Sequence, residues 1–222
     1  DDWPLLSIEG DDCEEPDDKG IEKKFEIKLS EPAFEDIEVN VATVEGTALA
    51  GDDFTAAETV ITIPVGKVRA EWSVLVLGDK MAELDETFEA KLTNPRGATL
   101  KKSSQICAIY DNDLPGIRVD DASIEEGDTG VKLLRFNVKL SSVTGKHVSA
   151  KYRLIGDSAG KKDFVGVEGI LDLPPGQAGT GIDVEILGDV EVEQDETFRL
   201  LLYEPVNATL ERDQATGTIV ND

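Results

Sequence analysis

Asp85-Glu86-Thr87-Phe88 recurs as Asp195-Glu196-Thr197-Phe198, and 198 − 88 gives a spacing of 110 residues. The same spacing relates Asn94-Pro95 to Glu204-Pro205, Ala98-Thr99-Leu100 to Ala208-Thr209-Leu210, and Pro64-Val65-Gly66 to Pro174-Pro175-Gly176. It also relates Asp53-Phe54 to Asp163-Phe164 and Ile109 to Ile219. Upstream the spacing becomes 111, pairing Phe25 with Phe136 and Glu15 with Glu126, as one inserted residue causes. Matches in this order and register identify two copies of one domain. The expected boundaries are residues 1–113 and 114–222, meeting at Leu114-Pro115-Gly116. A chain of 222 residues has room for two such domains of about 100 residues each.

Within each copy the apolar residues alternate with polar ones, the period of a half-buried strand. Phe25, Ile27 and Leu29 alternate, as do Trp72, Val74 and Val76, and then Phe88, Ala90 and Leu92. The second copy shows Leu134, Phe136, Val138 and Leu140, then Ile182, Val184 and Ile186, then Phe198, Leu200 and Leu202. Turn residues such as Gly46, Gly51, Gly66 and Gly78 fall between the runs. About seven short strands per copy without helical periodicity predict an all-β chain of two tandem immunoglobulin-like antiparallel β-sandwiches. The Cys–Trp–Cys framework of antibody domains is absent from the sequence.

Forty-seven acidic residues against 22 basic ones leave a net charge of −25. Such a surface repels nucleic acid and anionic lipid, so neither is expected as a partner. No apolar stretch reaches the roughly 20 residues of a membrane-spanning helix, and direct membrane insertion is not expected. The start at Asp1 and the stop at Asn221-Asp222 read as a piece of a larger protein. The single histidine, His147, leaves no material for a histidine-rich metal site or a Ser-His-Asp triad, and reads as a surface residue. No glycine-rich phosphate loop follows a strand and no EF-hand spacing occurs, so the chain is not expected to be an enzyme. Trp3 and Trp72 read as packing residues, and Asn207-Ala208-Thr209 is a glycosylation sequon.

The segments Gly46-Thr-Ala-Leu-Ala-Gly-Asp-Asp-Phe54, Glu83-Leu-Asp-Glu-Thr-Phe88, Leu92-Thr-Asn-Pro95 and Ile109-Tyr-Asp-Asn-Asp113 resemble the recurring phrases of Calx-β domains. The second copy keeps Asp163-Phe164, the acidic run Glu191-Val-Glu-Gln-Asp-Glu-Thr-Phe198, which contains Glu193 and Glu196, and Ile219-Val-Asn-Asp222. That resemblance implies calcium binding where loops meet the last strand at one end of each sandwich. Carried over residue by residue, the implied ligands in the first copy are Glu15, Asp53, Asp79, Glu83, Glu86, Asp111 and Asp113, with Asn112 able to add a carbonyl oxygen. In the second they are Glu126, Asp163, Asp189, Glu193, Glu196 and Asp222, with Asn221 in the supporting place. The chemistry is consistent with the charge. Calcium takes six to eight hard oxygens, and two carboxylates 4 Å apart repel by about 4 kcal/mol at an effective dielectric of about 20. A divalent ion removes that cost and couples binding to the order of the loops.

Departures from the family phrases predict fewer ions than its richest members hold, with the second site the weaker. Gly78-Asp79-Lys80 and Gly188-Asp189-Val190 lack consecutive acids, and Lys161-Lys162 is expected to crowd Asp163. Cys13 precedes Glu15 and Cys107 precedes Asp111, so they are either a disulfide clamping the calcium end or two buried thiols. Two functions fit the resemblance, and the thinned acid runs and the possible disulfide favour the first. One is a calcium-rigidified spacer for cell adhesion in a large extracellular or cell-surface protein, with neighbouring repeats and an adhesion protein as partners. In that reading calcium ties Asp111 and Asp113 to the first copy and stiffens the short linker. The other is a pair of cytosolic calcium-sensor domains on the cytoplasmic face of a membrane protein such as a sodium–calcium exchanger.

Overall fold

A computed structural model describes residues 3–221, and every regular element among them is a strand. The chain divides into two units. One contains the residues up to Lys80 and Leu84–Asp113, the other Met81–Glu83 and the residues from Leu114 onward.

The first unit is built from β1 (Leu5–Glu9), β2 (Cys13–Glu14), β3 (Ile21–Leu29), β4 (Ile37–Glu45), β5 (Glu58–Ile63), β6 (Arg69–Val76), β7 (Glu86–Arg96), β8 (Thr99–Lys102) and β9 (Ser104–Tyr110). They form a four-stranded sheet in the order β6-β3-β1-β8 and a five-stranded sheet in the order β2-β9-β7-β4-β5. The second unit repeats this with β10 (Gly116–Val119), β11 (Ala122–Glu125), β12 (Gly130–Leu140), β13 (Val148–Gly156), β14 (Glu168–Leu173), β15 (Gly179–Gly188), β16 (Glu196–Val206), β17 (Thr209–Arg212) and β18 (Gln214–Val220). Its sheets run β15-β12-β10-β17 and β11-β18-β16-β13-β14, the same order strand for strand.

Nine strands per unit exceed the seven that alternation predicts. The first strand of each copy changes sheets: β1 lies antiparallel to β3, whereas β2 pairs in parallel with β9. The strand after β7 also splits, giving β8, which lies parallel to β1. Segments of two to five residues are too short to show a period, so the sequence reads them as strand ends or loops.

The alternating residues close a core between the two sheets of each unit. Phe25, Ile27, Val74 and Val76 face Val39, Val41, Phe88 and Ala90, all essentially buried. Phe136, Val138, Val184 and Ile186 face Val148, Phe198 and Leu200 in the same way. Trp72 lies in the first core against Phe25, with centroids 5.6 Å apart. Trp3 is corrected: it is 55% exposed and does not pack in the core. The repeated Asn94-Pro95 and Glu204-Pro205 positions mark a bulge. Asn94 and Glu204 both have φ near 50°, and the pairing with the neighbouring strand slips beside each of them.

Candidate metal centre

The predicted ligands gather where strands end and the period-2 pattern stops. Glu15 follows β2, Asp79 and Glu83 lie between β6 and β7, Glu86 opens β7, and Asp111, Asn112 and Asp113 follow β9. In the second unit Glu126 follows β11, Asp189 and Glu193 lie between β15 and β16, Glu196 opens β16 and Asn221 follows β18. Asp53 and Asp163 each stand one residue before a phenylalanine that bridges to the sixth strand of its sandwich, at Val76 and Ile186. Asp222 lies outside the described residues. Glu83 divides with the second unit.

A clamp at the start of β7 ties the loop that carries Asp53 to Thr87, the residue after Glu86. The Ala48 amide donates to the Thr87 carbonyl at 3.0 Å, and the Thr87 amide donates to Thr47 Oγ1 at 2.9 Å. The second unit repeats it with Ala159 donating to Thr197 O at 3.0 Å and Thr197 N donating to Ser158 Oγ at 2.8 Å. Ala48 matches Ala159 at a spacing of 111 and Asp53 matches Asp163 at 110, so the extra residue of the first copy lies in this loop. Each aspartate also folds its own loop. Asp53 Oδ2 accepts from Leu49 N and Asp163 Oδ2 from Gly160 N, both at 2.6 Å. Their carbonyls take the Leu77 and Leu187 amides, which brings in the loops of Asp79 and Asp189.

Those loops run close to the chain that follows β2 and β11. A Cβ on Gly78 would meet the Pro16 carbonyl oxygen at 1.8 Å, and one on Gly188 the Gly127 carbonyl oxygen at 2.2 Å. Only glycine fits where backbone meets backbone so closely. The approach lets Asp79 N donate to Glu15 Oε1 at 3.1 Å, and Asn112 Nδ2 donates to Glu15 O at 3.0 Å. Asp111 is buried and its Oδ1 accepts from Asp113 N at 3.2 Å. Asp85 and Asp195 serve as caps: their Oδ1 atoms take the Asp111 and Asn221 amides at 3.2 and 3.3 Å. Asn221 holds the Glu193 loop, its Oδ1 accepting from Glu193 N and its Nδ2 donating to Glu191 O, both at 3.3 Å.

Among the described residues the tightest carboxylate group is Asp163, Glu193 and Glu196, each offering one oxygen within 4.8 Å of the others. Asp163 is buried, Glu196 half-buried and Glu193 exposed. The Glu196 carboxyl is pushed up to about 7, first by burial, then by its hydrogen bond to Asp163 and the charges of Asp163, Glu193 and Glu126. Glu126 is itself buried. Lys162, next to Asp163 in sequence, faces Glu191. Its ammonium lies 3.8 Å from Glu191, with both side chains exposed.

The donors suit calcium. They are carboxylate oxygens without nitrogen or sulfur, the hard ligands that calcium selects. With Ca–O distances of about 2.4 Å, opposite ligands of one ion stand about 4.8 Å apart, so the three oxygens fit one coordination sphere as they stand. Such an ion would supply a positive charge shared by the three carboxylates.

The Calx-beta domain family model matches residues 17–113 and again 110–222. The chain belongs to the Calx-beta domain family. Among curated proteins, this Calx-beta pair is 30% identical over 172 residues to the sodium/calcium exchanger Calx of Drosophila melanogaster, covering 75% of this chain and 18% of that protein. It is 25% identical over 175 residues to extracellular matrix protein 3 of Lytechinus variegatus, covering 74% of this chain and 6% of that protein. The chain thus spans less than a fifth of the length of either. Among solved structures it is similar to CBD12 of CALX1.2, at 22% identity and a TM-score of 0.47, covering 97% of this chain and 99% of that one.

Proposed function

We propose that this Calx-beta pair is a calcium-responsive module in which the ion binds at the loop-bearing end of each sandwich and fixes the loops there. The observation that carries this reading is the Asp163–Glu193–Glu196 group, whose oxygens lie within one calcium coordination sphere. Glu126 and Asp189 complete the second-copy site, with Asn221 as a further donor. Glu15, Asp53, Asp79, Glu86, Asp111 and Asp113 form the first-copy site, with Asn112 as a further donor. Residues 1–113 and 114–222 are the two modules.

The setting we favour is regulatory. The exchanger relatives support it, the chain acting as a sensor on the cytoplasmic face of a membrane transporter. The matrix protein supports a second reading, a calcium-stiffened extracellular spacer between neighbouring repeats with an adhesive partner. Affinity separates the two, since sensor sites bind at roughly 10⁻⁷–10⁻⁵ M and extracellular modules at about 10⁻⁴–10⁻³ M. Calorimetric calcium titration of the whole chain therefore tests both. Micromolar or tighter binding supports the sensor and millimolar binding the spacer. Unchanged binding in a Glu86→Gln, Asp111→Asn, Glu196→Gln triple variant would show that the sites lie elsewhere.

A further inference from the structure

Cys13 and Cys107 are free thiols 94 positions apart in sequence, by 107 − 13, and the fold brings them together. The two-residue strand β2 lies in parallel with β9, with Cys13 level with Ile109, so Cys107 is a diagonal neighbour on the adjoining strand. Cys107 belongs to the buried core cluster of this unit and Cys13 packs against that cluster. The segment around Cys13 is tied down on both sides. Asp12 accepts from Ala108 N at 2.9 Å and from the Tyr110 hydroxyl at 3.0 Å, while Glu15 N donates to Tyr110 O at 2.9 Å. Cys107 Sγ itself donates to the Asp11 carbonyl at 3.3 Å.

The sandwich does not require thiols at these positions. In the second unit the equivalent places hold Ile124 and Gly217, by spacings of 111 and 110, and the same strands pair in parallel there. The ring of Phe198 fills the space that a side chain on Gly217 would need. The first unit therefore carries a dithiol where its own repeat is closed by apolar packing alone. The two sulfurs differ in access: Cys107 is fully buried and Cys13 half-buried.

We propose that Cys13 and Cys107 are an oxidisable latch, closed to a disulfide by exchange with a low-molecular-weight disulfide. Cys13, the accessible sulfur, attacks as thiolate and displaces one small thiol, leaving a mixed disulfide on Cys13. Cys107 gives up its proton and attacks the Cys13 sulfur, displacing the second small thiol. Two protein thiols are oxidised to one S–S bond, and the small disulfide is reduced to two thiols. The bond pins the short β2 strand to β9. Because Glu15 directly follows β2, the latch also fixes one proposed ligand of the first module, a consequence that rests on the calcium reading, whereas bond formation does not.

The test uses the whole chain in chelator, incubated natively with oxidised glutathione. The expected product is a monomer two hydrogens lighter whose proteolytic map links Cys13 to Cys107. Its first unfolding transition should rise by on the order of 10 °C, because the bond closes a loop of nearly 100 residues, and dithiothreitol should reverse the gain. A Cys107→Ala variant should keep a stable glutathione adduct on Cys13, and a Cys13→Ser variant should leave Cys107 unreacted. Two thiols still free after prolonged native incubation, a cross-link between chains, or bond formation only in denaturant would each overturn the proposal. Failure of calcium to bind would leave the expected disulfide unchanged.

Discussion

Phe164 stacks on Phe198 with ring centroids 4.4 Å apart and planes 17° from parallel. Asp163 stands immediately before the first ring and Glu196 two residues before the second. The first unit repeats the arrangement, with Phe54 on Phe88 at 4.7 Å and 23°. Burial of each ring is worth about 1.5–3 kcal/mol, and stacking adds about 0.5–1.5 kcal/mol. That is enough to hold two mutually repelling carboxylates at the surface of the core. The rings thus anchor the proposed ligands from below.

Truncating one ring should therefore damage both fold and site. Phe164→Ala is expected to cost about 3–5 kcal/mol of second-unit stability. It should also lower calcium affinity, because Asp163 loses its support. Denaturant unfolding with and without calcium checks this, and a variant that unfolds like the parent protein would show that the stack does not support the site.

Glu196→Gln keeps the shape of the side chain and removes its charge. In chelator it should melt at a higher temperature than the parent, since the repulsion from Asp163, Glu193 and Glu126 is relieved. In calcium the second unit should lose most of its stabilisation. Paired thermal melts read both effects, and equal calcium gains in the two proteins would contradict the role given to Glu196.

The raised Glu196 carboxyl sets a pH dependence whose sign is fixed. The folded state binds this proton more tightly than the unfolded chain, so the contribution to stability is fully present below the ordinary value of 4.5 and lost as pH rises through about 7. In chelator the second unit should be more stable at pH 5.5 than at pH 8. The corresponding slope should shrink in Glu196→Gln, which separates it from the general relief of a net charge of −25 on acidification. Melts across that window in both proteins provide the check.

Gly188→Ala tests the backbone approach behind Asp189. The added methyl would meet Gly127 O at 2.2 Å, and carbonyl backbone cannot swing away as a flexible side chain does. A cost of about 1–3 kcal/mol is expected from overpacking, together with weaker calcium binding in the second unit alone. Calorimetry that finds wild-type affinity would show that this approach does not shape the site.

The sheets were legible because their core strands are long enough to alternate. Phe25-Ile27-Leu29 and Phe198-Leu200-Leu202 announce buried faces directly. The sheet change between β1 and β2 was not legible, because a two-residue strand has no period and its parallel partner lies at the other end of the repeat. The phrases around Asp53, Glu86 and Asp111 marked where acids collect. They did not reveal that Thr47 and Ser158 clamp the loops, that Asp85 and Asp195 cap the last strands, or that Lys162 turns to Glu191. Each of those depends on which neighbour lies within a few ångströms, and pattern along one chain does not encode that. The cysteines show the same limit. Sequence left disulfide and thiols open, and the fold places the two free thiols on neighbouring strands.

The central claim is that calcium binds the folded chain through carboxylates that repel one another in its absence. A thermal melt of the whole chain in millimolar calcium against chelator tests it most directly. An ion at 100 times its dissociation constant stabilises the fold by about 2.7 kcal/mol, which for domains of about 100 residues raises the melting temperature by roughly 10 °C or more. The account predicts such a rise with calcium and its loss when calcium is chelated again. Superimposable melts in the two conditions would contradict it.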